Sequence, residues 1–353
     1  MGATGRPETT RSTMIPSPPP ALSDPRPGLA VEAVGLRKVF GTAVAVDDID
    51  LAIPRGGVYG ILGPNGAGKT TTIRMLTTLL PIDGGRASVL GHDVATRPHD
   101  VRRSVALTGQ FASLDEDLTG QENLFLLSRL FGFSGAAARA RARELLGAFD
   151  LLEAADRQVK RYSGGMRRRL DIAASLVVSP ELLFLDEPTT GLDPRSRNHV
   201  WDIVRSLVAA GTTVVLTTQY LDEADQLASR IAVIDHGRVV AEGTSDELKA
   251  LVGQGTVKVR LADPADAERS SAVLRDVLGV EPLPQTDPAE ILCTVAPGTS
   301  VAAVLPALEA AGIAISAFSL GQPSLDEVFL TLTGAPVADD RTDHRPATGK
   351  DDR

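Results

Sequence analysis

Gly63-Pro64-Asn65-Gly66-Ala67-Gly68-Lys69-Thr70 decides the fold of this chain. It fits G-x-x-x-x-G-K-[ST], the spacing of a phosphate-binding loop. The apolar run Val58-Tyr59-Gly60-Ile61-Leu62 precedes it, and a helical pattern opens at Thr70-Thr71. The glycines let backbone N–H groups come close to phosphate oxygens, and a helix N-terminus adds partial positive charge. Lys69 is placed to reach β- and γ-phosphates, and the Thr70 hydroxyl to ligate magnesium. Residues 63–71 therefore form the candidate nucleotide site, for ATP with Mg2+. A glycine-rich turn that binds nothing is the alternative, and the strand before and helix after argue against it.

Working outward, residues 29–250 alternate short apolar runs with helical patterns. Leu182 to Leu185, Thr213 to Leu216 and Ile231 to Ile234 read, with Val58 to Leu62, as buried parallel strands of an α/β sheet. Leu182-Leu183-Phe184-Leu185-Asp186-Glu187 is an apolar strand ending in two carboxylates. Asp186 at the strand end suits magnesium held through water, and Glu187 suits a general base for an attacking water. Thr119-Gly120-Gln121-Glu122 is a capping box that opens a helix through Leu130, within a helical insert over about 112–160.

Tyr162-Ser163-Gly164-Gly165-Met166 opens another helical run, to Val178. A Ser N-cap with Gly164 and Gly165 presents backbone donors for a second phosphate contact. Lying between the phosphate loop and the Asp186 strand, it resembles the signature of the ABC ATPases. The other parts of that pattern follow in order. Phe40 stands where the family places an adenine-stacking aromatic, with a core or hairpin phenylalanine as the equal alternative. Gln110 resembles the Q-loop glutamine, which senses magnesium and contacts the membrane subunit. Gly191-Leu192-Asp193 resembles the D-loop, with Asp193 crossing a dimer interface. After Thr217-Thr218 the family usually carries a histidine, and here Gln219 stands in its place. Glutamine hydrogen-bonds a γ-phosphate or orients water, but it takes no proton.

Gln219-Tyr220, Tyr162 to Leu170, Thr108 to Phe111, Asp115 to Gly120, and Pro323-Ser324-Leu325-Asp326-Glu327-Val328-Phe329-Leu330 are similar to the daunorubicin-resistance ATPase family, over roughly 30–334. The resemblance implies a P-loop NTPase domain with an inserted helical subdomain. It further implies a homodimer that sandwiches ATP between Lys69, Thr70, Gln110, Asp186, Glu187 and Gln219 of one copy and Ser163, Gly165 and Asp193 of the other. It also implies a separately encoded permease, export of a drug, antibiotic or lipid, and a peripheral place on the cytoplasmic face of the cell membrane. A soluble ABC ATPase outside transport is the alternative, and a module that merely sequesters drug leaves the hydrolytic residues unexplained.

The remaining sequence bounds these readings. At 353 residues, about two domains are expected. Residues 1–28, with Pro18-Pro19-Pro20, and 335–353 read as disordered tails. Residues 255–334 order as β-α-β-β-α-β, with a strand near Val280, the ferredoxin-like split unit of a small α+β accessory domain. There Ser324-Leu325-Asp326-Glu327 caps a helix through Thr331. Leu325, Val328, Phe329 and Leu332 make an apolar stripe, which either closes the domain's own core or docks on the cassette or a second copy. A net charge of -9 gives no reason to bind nucleic acid. The lone Cys293 forms no internal disulfide and fits a reducing compartment. No run approaches the ~20 apolar residues of a membrane span, so a soluble chain is expected. Arg167-Arg168-Arg169 reads as a solvated or partner-facing surface, with added positive potential near the phosphates as the alternative.

Overall fold

The computed structural model describes residues 28–108, 114–251, 255–283, 285, 287–295, 299–321 and 324–333. The tails expected over 1–28 and 335–353 lie, apart from Gly28, outside the described residues, and so does Gln110. The chain opens on a hairpin of β1 (Leu29–Phe40) and β2 (Ala43–Pro54). Its alternation is that of a half-buried strand: Ile49, Leu51 and Ile53 point inward while Asp50, Ala52 and Pro54 are exposed. There follow β3 (Val58–Leu62), α1 (Lys69–Leu76), β4 (Gly84–Val89), β5 (His92–Asp93), α2 (Pro98–Ser104) and β6 (Val105–Thr108). The helical stretch holds α3 (Gly120–Leu130) and α4 (Gly135–Ala148), and leads into α5 (Gly164–Ser175). The Thr119 hydroxyl accepts from Glu122 N–H at 3.1 Å and the Glu122 carboxylate from Thr119 N–H at 2.8 Å, so the expected capping box is formed.

Next come β7 (Leu182–Asp186), α6 (Pro194–Ala209), β8 (Thr213–Thr218), α7 (Leu221–Leu227), β9 (Arg230–Asp235), β10 (Arg238–Gly243) and α8 (Ser245–Leu251). A six-stranded sheet in the order β10-β9-β3-β8-β7-β6 forms the centre, parallel except for β10. β3, β7 and β8 are buried along their whole length, as strands covered on both faces must be. A four-stranded antiparallel sheet, β2-β1-β4-β5, packs beside it. Register sets the site: Asp186 pairs with Thr217 and Thr217 with Ile61, so the ends of β7, β8 and β3 meet at one edge. Ligands of open α/β sheets bind at such carboxyl ends.

The C-terminal part comprises β11 (Gly255–Leu261), α9 (Ala267–Leu278), β12 (Glu290–Val295), α10 (Val304–Ala310), β13 (Ile315–Gly321) and α11 (Leu325–Thr333). Its sheet has three antiparallel strands in the order β12-β11-β13. The four strands of a ferredoxin-like unit are thus not formed among the described residues. In place of the strand near Val280 there is one isolated bridge, Leu283 to Leu292. Pro282 and Pro284 flank Leu283 and give no N–H to a ladder, which accounts for the loss. Val257, Val259, Leu274, Cys293 and Leu308 share the core of this part. Burial pushes the Cys293 thiol up to about 11. At pH 8 its reaction with an aromatic disulfide is expected to run on the order of 10²-fold slower than that of an exposed cysteine. Full-speed labelling without denaturant would contradict this packing.

The apolar stripe of α11 does not close that core. Leu325, Val328 and Phe329 pack on Leu62, Leu221, Ala224, Ile231, Val233 and Leu248, which belong to β3, α7, β9 and α8. The helix is fixed at its start by the expected box, with Glu327 N–H donating to the Ser324 hydroxyl at 3.2 Å and Ser324 N–H to the Glu327 carboxylate at 3.2 Å.

Candidate nucleotide site

The loop from Gly63 to Thr71 wraps the start of α1. Gly68 has φ 105°, and a Cβ there would sit 2.5 Å from the Ala45 carbonyl oxygen, so only glycine fits. Pro64 through Thr71, with Ala45 and Glu187, line a cleft of about 200 Å³. Gly63 anchors the loop to β8, donating its N–H to Thr218 O at 3.3 Å. A brace on the far side was missed by the sequence reading. Gly237 N–H donates to Ala67 O at 2.9 Å, while Gly237 O accepts from Asp47 N–H at 2.8 Å. His236-Gly237 was readable as a hairpin turn, but nothing local tells which loop the turn will touch.

Lys69 Nζ donates to Gly63 O at 2.7 Å and Pro64 O at 3.1 Å, and lies 3.4 Å from Glu187 Oε1. Burial pulls this ammonium below the ordinary lysine value, and the Glu187 and Asp186 carboxylates oppose that pull. Asp186 is buried, its Oδ1 accepting from the Thr217 hydroxyl at 2.6 Å and the Thr70 hydroxyl at 3.0 Å. A hydroxyl and a carboxylate so close are hard oxygen donors, which fits Mg2+. Glu187 stands at φ 48°, a left-handed region that residues with a Cβ seldom take. Its N–H donates to Thr217 O at 3.1 Å, and this bend turns its carboxylate back toward Lys69.

The signature residues gather elsewhere. Ser163 caps α5, accepting from Met166 N–H at 3.2 Å. Asp193 caps α6, accepting from Ser196 N–H at 3.1 Å and the Ser196 hydroxyl at 2.6 Å. These bonds hold its carboxyl below the usual range. A Cβ on Gly165 would come within 2.3 Å of that same Ser196 Oγ, so signature and Asp loop are packed as one piece. Gly164, Arg167, Arg168 and Thr190 to Leu192 line a second cleft, of about 400 Å³. Glu187 lines both clefts, whereas Ser163, Gly165 and Asp193 do not line the first. Phe40 is 49% exposed at the hairpin tip with Lys38 Nζ 5.5 Å above its ring, which excludes the core reading. Gln219 follows directly on Thr218 at the end of β8.

Of the arginine run, Arg168 and Arg169 are not solvated, whereas Arg167 stays partly exposed beside Glu116. Arg168 donates from Nε to Pro188 O at 2.9 Å and from Nη2 to Asp186 O at 3.0 Å, and pairs with Asp171 at 3.2 Å. Arg169 Nη1 reaches Phe149 O at 2.9 Å. Loose carbonyls beside a strand end need donors, and these guanidiniums supply them.

Fold and site together define a nucleotide hydrolase of the ATP-binding-cassette type. The ABC transporter family model matches residues 46–190, and the model for the C-terminal domain of DrrA1-3-like ATP-binding proteins matches 243–333. The daunorubicin/doxorubicin resistance ATP-binding protein DrrA of Streptomyces peucetius is 58% identical over 322 residues, 91% of this chain and 97% of that protein. The doxorubicin resistance ATP-binding protein DrrA of Mycobacterium tuberculosis is 45% identical, over 88% and 95%. A Nod factor export ATP-binding protein I of Ralstonia nicotianae is 45% identical, over 63% and 68%. Among solved structures, a dimeric post-hydrolysis ATP-binding cassette bound to ADP and Pi superposes with a TM-score of 0.56 at 26% identity, over 61% of this chain and 98% of that one. The chain belongs to the ABC transporter ATP-binding subunits, in their DrrA-like branch, and is an ATPase. No helix among its described residues is long and apolar enough to cross a membrane.

Proposed function

We propose that two copies of this chain close on ATP and drive export of a drug-, antibiotic- or lipid-like compound through a separately encoded membrane permease, at the cytoplasmic face of the membrane. The observation that carries the reading is the separation of clefts. In one copy the phosphate loop lines one cleft and the signature flanks another, with Glu187 between. A site complete in phosphate, base and signature contacts then needs a second copy. The relatives' printed names, resistance and export ATP-binding proteins, support the transport role and its direction.

In this reading Lys69 and the loop N–H groups bind the phosphates. Thr70 and Asp186, with Gln110, hold Mg2+, which when bound neutralises phosphate charge. Glu187 accepts the proton of the attacking water. Gln219 orients that water or the γ-phosphate by hydrogen bonding alone. Ser163, Gly164, Gly165 and Asp193 serve the site of the opposite copy, and Phe40 stacks on adenine.

The arrangement is tested by mixing two dead variants. Lys69→Ala loses its own phosphate contact, and Gly165→Ala spoils the face it offers to its partner. A random mixture is expected to regain about a quarter of wild-type turnover, because half the dimers then hold one intact site of two. No recovery in mixtures whose heterodimers are demonstrated by mass would refute the shared site.

A further inference from the structure

Glu223 is fully buried in the first turn of α7, and nothing in the hydrolytic scheme above uses it. Trp201 Nε1 donates to its Oε1 at 3.2 Å. The hydroxyls of Thr218 and Thr189 lie near enough to act on the carboxyl, but its other oxygen, Oε2, is buried without a hydrogen-bond partner. Burial pushes the carboxyl above the ordinary glutamate range, while those neighbours and the Arg197 guanidinium pull it back. Arg197 in turn lies 5.2 Å above the Tyr220 ring. A buried acid with one well-made bond is costly to keep, and such a group in a native fold calls for an explanation.

Its neighbours supply one. Thr218 directly precedes Gln219, and its carbonyl accepts from Gly63 N–H at 3.3 Å, so this strand end also touches the phosphate loop. Thr189 follows Glu187 and Pro188 on the loop toward Asp193. Arg197 and Trp201 lie one and two turns into α6, the helix that Asp193 caps. One carboxyl thus joins the switch end of β8, the loop after the base and the helix behind the Asp loop. The Trp201 bond ties α6 to α7 at this point, so a movement of α6 reaches the end of β8 through Glu223.

We propose that Glu223 is a positioning residue that couples the Asp193 loop to Gln219, so that engagement of Asp193 by a second copy sets how Gln219 is presented to the phosphate. The inference rests on the reading of Gln219 as the switch and of Asp193 as partner-facing. It predicts that loss of the oxygen that accepts from Trp201 slows turnover without weakening ATP binding.

Trp201 is the chain's single tryptophan, so its emission reads the bond directly. In the full-length protein, Glu223→Ala is expected to lower kcat at least about tenfold with the ATP KM within about twofold. The parent is expected to change its Trp201 emission on binding ATP, and Glu223→Ala to abolish that change. Glu223→Gln keeps an oxygen acceptor for the indole and is expected to recover kcat to within about threefold of the parent. If the alanine variant fails to fold, Glu223→Gln and Trp201→Phe carry the test. Trp201→Phe removes the donor and should lower kcat at unchanged KM. A folded Glu223→Ala or Trp201→Phe with parental kcat overturns the proposal, as does equal impairment of the Ala and Gln variants. Gln219→Ala, run in parallel, separates the two levels. If it keeps full turnover, the switch reading fails and the coupling with it. If it loses turnover while Glu223→Ala does not, the coupling alone fails.

Discussion

Glu187→Gln is expected to hold ATP and lose turnover, by ~10²–10⁴-fold in kcat, the range over which a positioned general base acts. Glutamine keeps the length and both hydrogen-bonding positions, so the bend at φ 48° and the N–H bond to Thr217 are left in place. What disappears is the proton acceptor and the negative charge 3.4 Å from Lys69. With that charge gone, Lys69 faces the phosphates without a competing carboxylate, and ATP should bind as tightly as in the parent or more so. Equilibrium binding of a fluorescent ATP analogue, single-turnover hydrolysis and a sizing column run with ATP check the three parts of this expectation. The ATP-loaded variant should elute as a closed dimer. A variant with near-parental kcat would remove Glu187 from the role of base.

The largest effect on stability is expected at Phe329→Ala. The ring is 2% exposed and packs between cassette residues, and emptying such a site costs about 3–5 kcal/mol. Leu330, its neighbour on the same helix, is 47% exposed, and Leu330→Ala should stay within roughly 0.5 kcal/mol of the parent. Urea denaturation of the two variants side by side decides the matter. Equal, small effects would mean that α11 is not seated on the cassette. Truncation after Gly253 goes further, because it uncovers Leu62, Ile231, Val233 and Leu248 together. That truncated cassette is expected to be less stable and prone to aggregate, where a domain that merely followed the cassette would leave it unaffected.

The parts legible in sequence were those whose physics is local. The phosphate loop, the apolar strand ending in Asp186-Glu187 and both capping boxes are set by residues within a few positions of one another. The parts that escaped are set by distant partners. Periodicity announced an apolar stripe on α11 but could not say which surface it would meet. Arg168 and Arg169 looked solvated because carbonyl acceptors 18 to 20 positions away leave no mark on the helix that carries them. The Gly237 brace joins β2, the phosphate loop and the turn between β9 and β10, three segments with no shared pattern. The strand near Val280 failed for a local reason that was on view, two prolines beside Leu283, outweighed by the pull of a familiar order of elements.

The seating of α11 also fixes an order of events on the ribosome. The face made by β3, α7, β9 and α8 is translated well before the helix that covers it, and at ~5–20 residues per second the wait from Leu248 to Phe329 lasts on the order of ten seconds. During that time a row of leucines, isoleucine and valine that the finished molecule hides is open to water and to other nascent chains. A chaperone that holds apolar surface would meet the chain in this interval, and synonymous codons that slow translation across β11 to β13 would lengthen it.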